Sequence, residues 1–175
     1  MRKTLKQPVP KQRSPTVESR VAIHRHPLHP IAVVYPIACL TLLLPADALH
    51  LLSGDAFWAQ MAWWLNLVGL VAGLGAAALG MADMFLIRVA RRHVSAWSHF
   101  IAAVMLMALA AVGVWLRYPD PAAAGWWALV HSAPTAGMVL VVGWLGGTLS
   151  FGHGIGVYGH REREDASASD RALDE

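Results

Sequence analysis

Ionisable side chains stand near the ends of otherwise apolar runs in this sequence, and their types are those that could do chemistry. One lies at a similar depth in each of four successive runs, if the runs cross a membrane in alternating directions. An ionisable group inside a membrane span is costly and usually faces the interior of the helix bundle. The positions therefore predict a ring of polar groups drawn from four helices: His29, Asp83, His99 and His153.

Three kinds of chemistry fit this ring. Neutral imidazoles of His29, His99 and His153 could bind the iron of a b-type haem, with Asp83 orienting one of them as a hydrogen-bond acceptor. The same four residues could instead form a three-histidine, one-carboxylate site for zinc or iron. In a third interpretation they only bond across helices, in a structural or partner-binding membrane subunit without a cofactor. All three hypotheses stay open at the level of sequence.

A second polar cluster is predicted near the opposite membrane boundary, where Asp47, His50 and His131 fall. His131 and His153 are 22 residues apart on the same run. This separation is about 33 Å in a helix at about 1.5 Å per residue, too long for two haems stacked within one membrane. The spacing therefore favours one haem, or none, over two.

The elements that must position these residues are four long apolar runs. Hydrophobic residues make up 56% of the 175 residues and charged residues only 14%, whereas soluble domains carry about 25% charged residues. Each run is long enough to cross a bilayer as a helix, and the short connections favour an up-down-up-down bundle. The sequence predicts an all-α integral membrane bundle of four transmembrane helices, with spans at about 30–52, 57–87, 96–116 and 126–151. We expect Pro36 and Pro45 to bend or shorten the first span.

Charged segments flank this bundle and set its predicted orientation. Residues 1–25 are predicted to be a disordered basic tail, residues 26–158 the transmembrane domain, and residues 159–175 a charged tail. Thirteen of the 14 Lys and Arg residues lie in the two tails or the second connection, and only Arg117 lies in the first or third. This bias predicts that both termini are cytoplasmic. The net charge of +3 thus indicates a lipid bilayer as partner and no nucleic acid.

A stripe of small residues runs along the second span and ends at Asp83. Its members recur at alternating steps of four and three residues, which places them on one helix face: Gly69, Gly73, Ala76 and Gly80. Such stripes let helix backbones approach closely in lipid. The stripe predicts either tight helix packing or a flat surface for a macrocycle such as haem.

Three segments carry a resemblance to a known family. They are "HPLHPIAVVYPIACL", "DALHLLSGDAFWAQMAWWLNLVGLVAGLGAAALGMAD" and "GGTLSFGHGIGV". Over about residues 26–157 the chain resembles the bacterial membrane family called domain of unknown function 2231. The resemblance implies a four-helix protein of the bacterial inner membrane without an established activity. The resemblance also implies which positions match the family's pattern: His29, Asp47, Asp83, His99 and His153.

The resemblance also bears on partners. Relatives can be joined to redox modules, including Rieske-type iron–sulfur domains, which implies electron transfer and a redox partner protein. The present sequence has a single cysteine, Cys39, and so lacks the ligands for such a cluster. The resulting expectation is a redox-associated membrane subunit, with b-type haem as the candidate cofactor.

Overall fold

Four long helices form the molecule, as predicted. In the computed structural model, which describes residues 16–156, four helices are long and apolar enough to cross a membrane. Their bounds agree with the predicted spans to within four residues: Leu28–Ser53, Ala56–Leu86, Val94–Leu116 and Ala122–Gly152. The all-α membrane bundle is therefore confirmed.

The first and last of these spans are each built from more than one element. The first consists of a short helix α1 (Leu28–Ala32) and helix α2 (Val34–Ser53). Helices α3 (Ala56–Leu86) and α4 (Val94–Leu116) form the second and third spans. The fourth contains a 3₁₀ turn (Ala122–Ala124), helix α5 (Gly125–Gly147) and a π-helical turn (Thr148–Gly152).

The helices pack in a closed ring in chain order. Helix α2 lies against α3 and α5, and α4 lies against the same two helices. The tight turn from α2 to α3 makes this antiparallel order possible. Gly54 ends α2 in the left-handed conformation at φ 70°, and the Asp55 carboxylate caps α3 by accepting the N–H of Phe57 at 2.9 Å. Both are standard helix-end solutions.

The two prolines of the first span act differently from each other. Pro36 is the third residue of α2, within the first turn, where a missing N–H costs little because that turn is short of acceptors anyway. The chain breaks just before it, at Val33 between α1 and α2. Helix α2 then continues through Pro45 to Ser53, so Pro45 does not stop the span.

The segment that precedes the first span folds back onto one end of the bundle. Residues Ala22–Ile23 and His26–Pro27 pair as a two-stranded antiparallel hairpin, and Val17 bridges to Ile155. Residues 16–25 thus have defined contacts, which differs from a tail extending to residue 25. The rest of the two predicted tails, residues 1–15 and 159–175, lies outside the described residues.

An apolar layer crosses the middle of the bundle. Leu40 of α2, Leu106 of α4 and Val139 of α5 are buried together there. We call the end that carries residues 16–27 and the α3–α4 connection the terminal end, and the other end the distal end. The polar residues of the two ends are therefore separated by packed hydrocarbon.

Candidate functional site

At the terminal end two of the predicted site residues meet. His29 of α1 donates its Nδ1–H to the backbone oxygen of Ala76 at 2.8 Å, and His99 of α4 donates its Nδ1–H to the backbone oxygen of Val142 at 3.1 Å. The two imidazole rings face each other edge to face, with centroids 6.3 Å apart and planes at 81°. Contacts from α1, α3, α4 and α5 thus converge on one pair of imidazoles.

The hydrogen bonds of this pair fix the tautomer of both rings. A carbonyl oxygen can only accept, so Nδ1 must carry the hydrogen in each ring. In a neutral imidazole Nε2 is then an unprotonated lone-pair donor, the form in which histidine binds metals. Within residues 16–156 neither Nε2 has a hydrogen-bond partner. Both rings therefore combine a fixed orientation with a free ligand atom.

Two glycines make room for these rings. A Cβ at Gly80 of α3 would lie 2.8 Å from ring atoms of His29, and a Cβ at Gly146 of α5 would lie 3.1 Å from Cε1 of His99. Distances near 3 Å or below are too short for carbon–carbon contact. The glycines are thus part of the geometry of the imidazole pair.

Substituting Gly80 tests directly whether this glycine makes room for the His29 ring. Gly80→Ala should displace the His29 ring and lower the free energy of unfolding by about 1–3 kcal/mol, the usual cost of overpacking. Gly75→Ala on the same helix is the matched control, since nothing lies within 4 Å of its Cβ. The control should be neutral or stabilising by up to about 1 kcal/mol, because alanine is the better helix former. Equal effects of the two variants in a denaturant titration would show that Gly80 does not make room for the His29 ring.

The other two members of the predicted ring lie elsewhere. His153 contacts the hydroxyl of Ser95 through Nε2 at 3.3 Å, and its ring lies 4.9 Å from that of His93. Helix α5 gives way to a π-helical turn just before His153, so depth counted on a regular helix misplaces it. The predicted four-residue ring is therefore corrected to a pair.

Asp83 holds the chain segment that precedes the first span. Its carboxylate accepts the hydroxyl of Ser19 at 2.6 Å and the backbone N–H groups of Arg20 and Val21 at 2.7 and 2.9 Å. These bonds satisfy the carboxylate, and no histidine of the described part of the chain is among its partners. Within residues 16–156 no three His, Cys, Asp or Glu residues stand close enough to hold a metal ion. The three-histidine, one-carboxylate set is thus not assembled.

At the distal end, polar residues from four helices do form one cluster. The guanidinium of Arg117, at the end of α4, pairs with the carboxylate of Asp47 on α2, and both side chains are almost fully buried, with exposures of 1% and 2%. Arg117 also donates to the backbone oxygens of Gly113 and Ala128 at 3.0 and 3.3 Å. The charge of each partner is thereby neutralised inside the bundle.

His131 and Asn66 complete this distal cluster. His131 of α5 donates Nε2–H to the backbone oxygen of Leu109 at 2.9 Å, so its Nδ1 is the acceptor that faces Arg117 Nη1 at 3.4 Å. Asn66 of α3 is fully buried and donates to the backbone oxygen of Ala110 at 3.1 Å. The cluster therefore ties α2, α3, α4 and α5 together.

His50 does not join the distal cluster. Its Nδ1–H reaches the backbone oxygen of Asp55 at 3.0 Å, across the turn between α2 and α3. Of the three residues predicted near this boundary, the structure brings together only Asp47 and His131. A histidine one turn further along α2 than Asp47 lies at the end of the helix, where the adjoining turn supplies its partner.

The sequence analysis missed Arg117 and Asn66, although both left a signal. A carboxylate in an apolar span needs a cation, and Arg117 is the one Lys or Arg in the first and third connections. Counting it only as loop charge hid this role. Asn66 is an amide in the middle of a long apolar helix, which calls for an interhelical partner.

The small-residue stripe of α3 serves helix packing over most of its length. A Cβ at Gly69 would lie 2.8 Å from the Leu40 side chain, and one at Gly73 would lie 2.5 Å from the sulfur of Met107. The stripe is thus covered by side chains of α2 and α4. Only its last glycine, Gly80, faces an imidazole.

Comparison with known proteins places this arrangement in a family. A family model described as a predicted membrane protein, DUF2231, matches residues 25–159. This range contains all four spans, the imidazole pair and the distal cluster. Neither the curated proteins nor the solved structures yielded a match.

Proposed function

The chain belongs to the membrane-protein family called domain of unknown function 2231, and we propose that it is a multi-pass membrane subunit in which His29 and His99 would hold the iron of one b-type haem. The observation that carries the proposal is the pair of free Nε2 atoms on two oriented imidazoles from different helices. Bound haem would supply one-electron transfer, and the partner of such a subunit is a redox protein.

The two rings lie near each other in the bundle. Their centroids are 6.3 Å apart and their planes are inclined at 81°. Each ring keeps an unprotonated Nε2, since its Nδ1–H donates to a backbone carbonyl. These two imidazoles are therefore the residues that would hold the haem iron.

The chain's own residues would orient and shield such a centre. The Ala76 and Val142 carbonyls hold the two imidazoles by Nδ1, an arrangement that fixes ring orientation and raises ligand basicity. Gly80 and Gly146 keep the neighbouring helices clear of the ring faces. The apolar layer of Leu40, Leu106 and Val139 excludes water from the distal side.

Loading of the purified protein tests the proposal. The full chain is expressed with added haem precursor, purified in detergent, and assayed for haem and, by mass spectrometry, for iron, zinc and copper. We expect about one haem iron per chain. Stoichiometric zinc or copper without haem would replace the proposal by a divalent-metal site, and the absence of any metal would overturn both.

A second candidate is a structural or partner-binding subunit without a cofactor. The observation that favours it is that the carbonyl contacts of His29 and His99 are themselves interhelical hydrogen bonds. Such bonds contribute about 0.6 kcal/mol on average in membranes. Under this candidate His99→Ala lowers stability modestly and leaves the absorption spectrum unchanged. The loading experiment therefore separates the two candidates.

We further propose that the protein lies in a bacterial inner membrane with its terminal end in the cytoplasm. The support is the distribution of Lys and Arg, of which thirteen of 14 belong to the tails or the α3–α4 connection, because cytoplasmic segments carry an excess of these residues. Reporter fusions check this prediction. A fluorescent protein after residue 175 should be bright and alkaline phosphatase there inactive, and phosphatase inserted at residue 120 should be active; the opposite pattern would reverse the orientation.

A further inference from the structure

Three buried polar atoms at the distal end have no hydrogen-bond partner among the described residues: Asn66 Oδ1, Arg117 Nε and Trp63 Nε1. The Asn66 side chain is fully buried and that of Arg117 is 1% exposed. Unpaired polar atoms are costly in the interior of a membrane bundle. One acceptor and two donors left open in one region call for a common partner.

The open atom of Asn66 is its oxygen. The amide nitrogen Nδ2 donates to the backbone oxygen of Ala110 at 3.1 Å. Turning the amide over would set two oxygen atoms against each other, so the carbonyl must point away from Ala110. The site therefore contains a true acceptor beside the donors of Arg117 and Trp63.

Asn66 and Arg117 approach α4 one turn apart. Asn66 binds the backbone oxygen of Ala110, and Arg117 Nη1 binds that of Gly113 at 3.0 Å. Three residues of helix separate these oxygens by about 4.5 Å along the axis. The side chains of Asn66 and Arg117 therefore lie against the same turn of α4.

Gly113 makes room for the polar side chains of this region. A Cβ at that position would lie 2.5 Å from Asn66 Nδ2 and would also strike the ring of His131. The amide of Asn66 therefore lies directly over the glycine, between α3 and α4. Trp63 precedes Asn66 by three residues on α3, about one turn, so the two residues lie on the same helix face.

We propose that this site binds one water molecule. The water donates a hydrogen to Asn66 Oδ1 and accepts one from Arg117 Nε, with Trp63 Nε1 as its second donor. Buried waters typically make about three hydrogen bonds to otherwise unpaired groups, which is the number of open atoms here. The N–H donors of Arg117 and Trp63 disfavour a cation, and the Asn66 oxygen needs a partner that donates a hydrogen, which a simple anion cannot do.

This water is a structural part of the distal cluster and does not depend on the haem proposal. It links the one buried amide of the cluster, on α3, to the guanidinium at the end of α4. The Asp47–Arg117 pair is then fully hydrogen-bonded at Nε as well as at both Nη atoms.

A structure of the full chain in lipid nanodiscs or a lipidic crystal at about 2 Å tests the site directly. We expect a density peak within about 3.2 Å of both Asn66 Oδ1 and Arg117 Nε. Well-resolved side chains with no peak between them would overturn the proposal. A density too large for one water, such as a lipid or detergent headgroup, would overturn it as well.

A double-variant cycle gives an independent test. Asn66→Leu removes the acceptor but also the bond to the Ala110 oxygen, so its Tm alone does not report on the water. Trp63→Phe removes one of the two donors to the same water. If the water is shared, the fall in Tm of the double variant should be smaller than the sum of the two single falls by about 2 °C or more. Thr135→Val is the control, since its hydroxyl bonds only within its own helix, to the His131 oxygen at 2.9 Å, and its effect should add to that of Trp63→Phe. Additive falls for Asn66→Leu and Trp63→Phe would overturn the proposal.

Discussion

Replacing Arg117 by Met should destabilise the protein by about 3–5 kcal/mol, because Asp47 is then left as an unpaired buried carboxylate. Asp47→Ala should cost a similar amount by leaving Arg117 unpaired. Both side chains are at least 98% buried, so water cannot replace the lost partner. Unfolding in mixed micelles, followed by circular dichroism, measures these changes.

The double variant separates the ion pair from mere packing. Asp47→Leu combined with Arg117→Met removes both charges together, and we expect it to recover most of the loss, since apolar replacements of buried pairs are often neutral or stabilising. Arg92→Met is the control at an exposed arginine, with an expected change within about 0.5 kcal/mol. Additive losses in the double variant would mean that the pair is not the source of the effect.

Replacing His29 or His99 by Ala should abolish haem binding. Each substitution removes one of the two imidazoles that would hold the haem iron, and one imidazole alone would bind it more weakly. We expect haem content to fall at least tenfold in either variant, while His153→Ala retains it. His153 is the matched control because it is half-buried at the same end of the bundle but contacts His93 and Ser95 instead.

Stability must be measured on the same preparations. If His29→Ala and His99→Ala bind haem as well as the parent protein, the assigned ligands are wrong. If His153→Ala also loses its haem while the protein stays folded, the haem site includes the segment around His153 that follows α5. Folded variants that lose haem only at His29 and His99 support the proposed pair.

The fold could be read from the sequence because a bilayer leaves few choices. Backbone groups in hydrocarbon must bond within their own segment, so a run of about 20 apolar residues is a helix. The predicted spans and the four-helix bundle follow from this constraint, and short connections such as Gly54–Asp55 make neighbouring helices antiparallel. Local turn chemistry is less predictable: the break at Val33 lies just before Pro36, a residue predicted to bend the span, but the π-helical turn before His153 left no clear signal.

The site could be predicted only in part, because depth is not contact. Residues at equal depth on four helices share a level, but the rotation of each helix decides which of them meet. His29 and His99 do meet, whereas Asp83 turns to the segment that precedes the first span and His153 to the surface of α4. Arg117 could have been paired with Asp47 by charge balance alone. The unpaired polar atoms of Asn66 and Arg117 could be recognised only in the structure.

The absorption spectrum of the haem-supplied, detergent-purified protein, first oxidised and then reduced with dithionite, tests the central claim most directly. If His29 and His99 hold a haem iron, a Soret band should be present and should shift on reduction, with sharp α and β bands appearing. A featureless spectrum from folded protein, expressed with abundant haem, would contradict the claim and leave the imidazole pair as a structural bond between helices.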